Sequence, residues 1–360
     1  MATVNALVQL LGVQYPIIQA PMMGICTPEL VAAVSNAGGL GSLGCGEKSL
    51  DQIQSDTVAL RALTDRPFNL NFFATPKINT NQEVLEKARE RLRPWYKSLS
   101  LGEPPVDLPD AANGFDEAKL LMLLDIKPKV VSFHFGYPNQ DQISALKNAG
   151  IILLGSATNV AEAEALEVAG FHAIIAQGWE AGGQRGSHVP TIPSDGIGTM
   201  ALVPQVVDAV SVPVIAAGGI ADGRGVAAAL ALGASGVQMG TAFLRCPEAA
   251  TPFVWRQYLE NASDVDTLVT DSFSGRSART RRSRYAEEME NNRQLWPPFP
   301  QMFSLSGPIR NAAPDDEVSF YPYGQAAALS KELPARQLVE MIVNDTRMAM
   351  MKASMWRRLS

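Results

Sequence analysis

The chain predicts an α/β fold, a (β/α)8 TIM-type barrel with a smaller, mainly helical second domain over one mouth, and three features of its sequence lead there. Eight short apolar runs bounded by Gly or Pro alternate with segments of helical period, which is the pattern of parallel strands buried on both faces. Each run is followed by a helical segment of its own, and eight is the closure number of a parallel barrel. The chain has 360 residues where a barrel alone takes about 250, so an appendage is expected.

In order, the predicted strands are Pro16–Ala20, Gly39–Leu43, Phe68–Phe73, Val130–Phe135, Ile151–Gly155, Ala173–Gln177, Pro213–Ala217 and Gly236–Gly240. Between them, a helix over Pro28–Ala37 follows Thr27 as its N-cap, one over Val160–Val168 closes at Gly170, and one over Arg224–Leu232 closes at Gly233. Spacing is regular except after the third strand, where about fifty residues intervene, and after the eighth, where more than a hundred remain. The first excess reads as helix, loop, helix, with a charged stretch over Glu83–Arg93 and a linker at Pro104, Pro105 and Pro109. The second holds Trp296, Pro297, Pro298 and Pro300 and then a helical ending over Ala335–Trp356, whose Met348, Met350, Met351 and Met355 read as core packing. The expected division is residues 1–74 and 128–250 as barrel, 75–127 and 251–345 as the smaller substrate-side domain, and 346–360 as a C-terminal helix.

Composition narrows the partners. A hydrophobic fraction of 46% with 18% charged residues describes a packed globular protein, and a net charge of -6 argues against a chain-wide affinity for nucleic acid. One basic run, Arg276, Arg279, Arg281, Arg282 and Arg284, suits either an anionic ligand or, as the more ordinary reading, a solvated helix face. Cys26, Cys45 and Cys246 form neither a CxxC pair nor an even set, so no disulfide framework or zinc site is expected. With no basic region ahead of the first apolar residues and no bilayer-length run, a soluble cytoplasmic protein without membrane partners is expected.

Barrel chemistry sits where strands run into βα loops. The seventh and eighth strands run into Gly218, Gly219 and Gly240, Thr241, two glycine-bearing loops whose exposed N–H groups suit a phosphate. Gly39, Gly41 and Gly44 meet the G-x-G-x-x-G spacing, but a helix precedes them and they lie in a strand, so close packing is the reading preferred to a dinucleotide site. After the sixth strand, Gln177 to Gly186 holds Gly178, Gly182, Gly183 and Gly186, as a backbone pressed against a flat ligand would need. The Gln177 and Asn71 amides suit the carbonyl and N–H edge of a heterocycle such as a flavin pyrimidine, or are simply satisfied polar groups of the barrel's top layer. His134 ends the fourth strand facing the mouth as a candidate donor or base, His188 is a lid residue or merely solvated, and His172 opens a strand at the opposite face and is given no role.

Gln19–Met22 together with Thr27–Gly41 resembles the opening signature of the nitronate monooxygenases, formerly 2-nitropropane dioxygenases, and Ser132–Gly136, Gln177–Gly186, Pro213–Gly225 and Gly240–Leu244 are similar to further blocks of that family. The resemblance implies non-covalent FMN held by Ala20, Pro21 and Met22, by Asn71 and Gln177, by Gly182 and Gly183, and by Gly218, Gly219, Gly240 and Thr241. It further implies oxidation of small anionic alkyl nitronates, such as propionate 3-nitronate, by molecular oxygen, and the blocks at His134–Gly136 and Tyr323–Gln325 look most like the class I subgroup. A homodimer is left open. One departure stands out: where the family's strand-six loop usually carries histidine, this chain has Gln184, which cannot act as a base at neutral pH. His134 or His188 then takes over, or no base is needed, or the activity has diverged. Two alternatives remain, an NAD(P)H-dependent flavin reductase of a quinone or enoyl thioester and a flavin-binding protein without catalysis.

Overall fold

The computed structural model describes residues 5–75, 81–108, 114–189, 196–290, 296–314 and 316–355. Its strands are β1 (Ile17–Gln19), β2 (Gly41–Gly44), β3 (Phe68–Phe73), β4 (Val130–His134), β5 (Ile152–Ala157), β6 (Ala173–Gln177), β7 (Gly183–Gln184), β8 (Val214–Ala217), β9 (Gly236–Met239), β10 (Thr267–Thr270) and β11 (Ala278–Arg281). Its α-helices are α1 (Ala6–Leu11), α2 (Pro28–Asn36), α3 (Leu50–Leu63), α4 (Gln82–Ser98), α5 (Glu117–Ile126), α6 (Gln140–Asn148), α7 (Val160–Ala169), α8 (Thr199–Ala209), α9 (Gly223–Ala231), α10 (Phe253–Glu260), α11 (Arg284–Glu290), α12 (Gln301–Ala312) and α13 (Ala335–Ser354).

Eight strands pair in parallel in the order β1-β9-β8-β6-β5-β4-β3-β2, and a bridge between Ile18 and Leu40 closes the ring. This is the (β/α)8 barrel, and the eight predicted strands are its eight strands, with ends shifted by a residue or two. The register sets Asn71 beside Ser132 and Gln177 beside Ala217, so the polar strand tips share one mouth. The opposite mouth is packed by α1, whose Leu7 and Leu11 join Ile18, Leu154 and Ile215 inside the ring. Helix ends follow their capping chemistry. Thr27 Oγ1 accepts from Leu30 N at 3.0 Å, and Gly170 ends α7 in the left-handed region at φ 94°. At Gly41 a Cβ would lie 2.1 Å from Val31 O, so the decoy glycine motif is indeed a strand pressed onto α2.

A second core lies apart from the barrel, where Leu92, Trp95 and Tyr96 of α4 meet Phe273, Tyr285, Met302, Leu305 and Ile309. The chain thus uses parts of both excess segments in one layer. The expected boundaries move, because α5 buries Leu120, Leu123 and Ile126 in the barrel's outer layer, as α13 does with Leu338, Val339 and Ile342. Residues 117–126 and 335–345 therefore belong with the barrel, and α13 is one helix rather than a tail from 346. Pro109 and Trp356 lie outside the described residues.

Two expectations are overturned. The basic run is no single solvated helix face: Arg282 and Arg284 are exposed, but Arg276 and Arg279 are each 3% exposed. Arg279 sits in β11, where its Nε and Nη2 donate to Trp179 O at 3.1 and 2.9 Å, while Arg276 lies 4.0 Å over the Phe135 ring, so carbonyls and aromatic faces replace water around both. The methionines are not core either. Thr346 reaches the start of α9 at Gly223, and Met348, Met350, Met351 and Met355 beyond it are 64%, 48%, 64% and 60% exposed.

Candidate active site

The strand tips and the second layer enclose a cavity of about 340 Å³, within the usual range for small-ligand sites. All eleven residues expected to hold a cofactor line it: Ala20, Pro21, Met22, Asn71, Gln177, Gly182, Gly183, Gly218, Gly219, Gly240 and Thr241. Ala20 N donates to Met239 O at 2.8 Å, which ties the first loop to the eighth barrel strand. Met22 N donates to the buried Cys26 Sγ at 3.0 Å, and burial pushes that thiol up to about 12, so it stays neutral beneath the loop.

Gly218 and Gly219 both take left-handed backbone, φ 107° and 71°, which lets the loop double back without side chains. At Gly240 the nearest atoms to an added Cβ are Ala20 Cβ at 3.5 Å and Met22 Sδ at 3.8 Å, so the space is on the cavity side. At Gly182 a Cβ would come within 2.4 Å of the Tyr323 carbonyl carbon. That close approach, with Gly324 N donating to Thr241 Oγ1 at 2.9 Å and Gln325 N to Glu180 O at 3.0 Å, stitches the 323–325 segment to both loops.

The strand-six loop is held by its own residues. Gln177 Nε2 donates to Gln184 O at 3.2 Å and Gln177 Oε1 accepts from Gly186 N at 2.8 Å, so much of the amide expected to face a ligand is spent on the loop. Gln184 pairs with Ala278 across β7 and β11, and it lines the cavity. Its carbonyl also meets His134 Nε2 at 3.1 Å, while His134 Nδ1 lies 3.0 Å from Ser156 Oγ. A carbonyl can only accept, so Nε2 carries the proton and Nδ1 accepts from the serine. Burial brings His134 down to about 4 from 6.5; the Gln184 bond opposes this, and Arg276, Arg185 and His188 reinforce it. His134 is therefore a neutral, doubly bonded ring at pH 7. His188 is not among the residues lining the cavity: its Nε2 sits 3.0 Å from Ser156 O.

Several lining residues have no counterpart in the sequence reading. Glu180 accepts from Thr199 N and Oγ1 at 2.9 and 2.8 Å, capping α8 from the strand-six loop. Gln238 Oε1 is buried among the lining residues without a donor in the described protein. Glu47 follows β2, whose glycines the sequence reading took as close packing rather than as part of a site, and Phe73, Phe299, Phe303 and Phe320 form an aromatic wall. The phenylalanines come from distant segments, so only the fold could assemble them.

The cavity fits a flat cofactor with a phosphate tail. Its glycine-lined end leaves backbone within reach, and the orphan Gln238 Oε1 would accept an N–H from such a ring.

A family model described as "Nitronate monooxygenase" matches residues 4–345. A probable nitronate monooxygenase of Staphylococcus aureus strain MRSA252 is 41% identical over 345 residues, covering 95% of this chain and 97% of that one. Among solved structures, the nitroalkane oxidase from Streptomyces ansochromogenes superposes with a TM-score of 0.86 at 38% identity, covering 97% of this chain and 99% of its own. FabK from Thermotoga maritima follows with a TM-score of 0.75 at 30% identity over 99% of this chain and 100% of its own. A barrel with this cavity, matched over nearly its whole length by such relatives, is an oxidoreductase, and the chain belongs to the nitronate monooxygenase family.

Proposed function

We propose that the protein binds FMN without a covalent bond and oxidises alkyl nitronates with molecular oxygen. The observation that carries this reading is the combination at the strand-six loop: Gln184 stands where a base would act, and His134 beside it has both ring nitrogens committed. A neutral nitroalkane must lose a carbon-bound proton, and neither residue can take it at neutral pH. A preformed nitronate has already lost that proton and needs only orientation and donors, which the Gln184 amide offers.

When bound, FMN would supply the electron acceptor and the site of oxygen reduction. The chain's own part is placement. Gly218, Gly219, Gly240 and Thr241 would receive the phosphate, Ala20–Met22, Gly182 and Gly183 would flank the ring, Asn71 and Gln238 would meet its polar edge while Gln177 holds the strand-six loop beside it, and the phenylalanine wall would exclude water.

The test is an absorbance spectrum of the purified protein, mass determination of the heat-released cofactor, and anaerobic mixing with a nitronate. A yellow protein that releases FMN and is bleached by nitronate supports the reading. Release of FAD, or bleaching by NADH and not by nitronate, overturns it, and the latter favours reduction of a quinone or enoyl thioester, a reaction the apolar cavity wall would also suit.

A further inference from the structure

Resting on the nitronate reading, and departing from the propionate 3-nitronate that the family resemblance implies, we propose that the site takes nitronates with an apolar or aromatic tail and rejects those whose tail ends in a carboxylate, with Glu47 as the discriminating residue. The substrate side of the cavity is built from Met23, Phe73, Phe299, Phe303, Phe320 and Pro322, and no lysine or arginine lines it among the described residues. Phe73 and Phe299 meet edge to face at 6.1 Å, Phe299 and Phe303 lie 6.1 Å apart, and Phe303 meets Phe320 at 6.3 Å, so the wall is continuous. Glu47 lines the cavity beside it: a Cβ on the preceding Gly46 would lie 2.6 Å from the Phe73 ring.

Among the described residues, Lys48 and Arg310 are nearby cations, and both are engaged elsewhere. Lys48 pairs with Asp56. Arg310 donates from Nη2 to Phe303 O at 2.8 Å and from Nε to Ser306 Oγ at 3.1 Å, with its guanidinium 3.7 Å over the Phe303 ring, behind the wall rather than in the cavity. Burial pushes the Glu47 carboxyl up and Arg310 draws it back, so its own charge is already poorly solvated. A tail carboxylate entering this mouth would meet a like charge and an apolar surface, with no lysine or arginine among the described lining residues to receive it. An alkyl or phenyl tail would bury its surface against the phenylalanines.

The experiment compares kcat/KM for preformed nitronates of 1-nitrohexane and of 3-nitropropionate, in the flavin-loaded wild type and in Glu47→Gln. Preformed anions remove any role for Glu47 as a base. The hexane nitronate should be favoured at least about tenfold, and Glu47→Gln should shift the ratio toward the carboxylate by about fivefold or more. Equal rates in the wild type, or a ratio unmoved by the substitution, overturns the proposal. If no nitronate is oxidised, the functional reading fails by itself. The tail preference is then read from binding of two unreactive ligands, hexanamide and its terminal carboxylate analogue adipamic acid, by perturbation of the flavin absorbance. Weaker binding of the acid that recovers in Glu47→Gln supports the proposal, and equal binding of the two defeats it.

Discussion

His134 shows how a residue that looks catalytic in sequence becomes a positioning residue once its neighbours are known. Its Nε2 holds the Gln184 carbonyl and its Nδ1 takes the Ser156 hydroxyl, so a proton added to Nδ1 would break the serine bond inside a buried pocket. Its folded value of about 4 lies below the ordinary 6.5, so the unfolded chain binds more protons between those values. The contribution of His134 to stability is thus present above pH 6.5 and lost as pH falls toward about 4. Histidine-selective NMR should show an Nε2–H tautomer titrating near pH 4, and His134→Gln should flatten the fall in urea midpoint across that window; titration near 6.5 would contradict the assigned bonds. At Gln184 the expectation concerns rate. An imidazole placed there by Gln184→His would face the cavity from β7, and kcat/KM for a neutral nitroalkane should rise by about tenfold or more relative to the matched nitronate. No change in that ratio would mean either that the ring points elsewhere or that a base is already present, with Glu47 the lining carboxylate to substitute next.

Among the elements, the two glycine loops after β8 and β9 carry the phosphate assignment. Gly240 has open space toward the cavity, and an added Cβ at Gly219 would meet the Glu180 side chain, with its Cβ, Cγ and Cδ at 3.3, 3.5 and 3.8 Å. Gly240→Asp should therefore fold and lose FMN, because the new carboxylate would stand against the phosphate dianion. Gly219→Asp adds strain at φ 71°, which aspartate tolerates better than most residues, and should lose FMN as well. Flavin content per folded protein, from absorbance and circular dichroism, decides this, and full retention in both variants would move the phosphate elsewhere. Strand β7 acts differently. It leaves the barrel to pair with β11, and that pairing ties the strand-six loop to the buried Arg279 beneath Trp179.

For the whole molecule, the division of labour is between a barrel that forms the glycine-lined end of the cavity and a second layer that supplies most of its aromatic wall. Leu305 is fully buried in that layer, and its carbonyl accepts from Tyr96 Oη at 2.7 Å. Leu305→Ala should cost about 2–5 kcal/mol in the stability of this layer. Limited proteolysis should cut first within residues 82–98 or 301–312, flavin should remain bound, and KM for an apolar nitronate should rise while FMN content holds. Simultaneous loss of flavin would mean that the two layers do not come apart separately.

The sequence by itself determined the barrel, because a strand buried on both faces leaves an apolar run and its helix leaves a cap and a period, and both signals are local. The glycines at Gly182, Gly218 and Gly219 were legible for the same reason, since backbone that must approach closely or turn left-handed excludes side chains wherever it occurs. Only the tertiary structure decided what surrounds each polar group. It spent the Gln177 amide on its own loop, closed both nitrogens of His134, set His188 against the Ser156 carbonyl, and buried Arg276 and Arg279 against aromatic rings and carbonyls. It also brought Glu47 beside Phe73 and set Phe299, Phe303 and Phe320 around the same mouth, although more than two hundred residues separate Phe73 from Phe299. Burial, tautomer and charge environment are properties of neighbours, and neighbours this distant in sequence leave no periodicity to read.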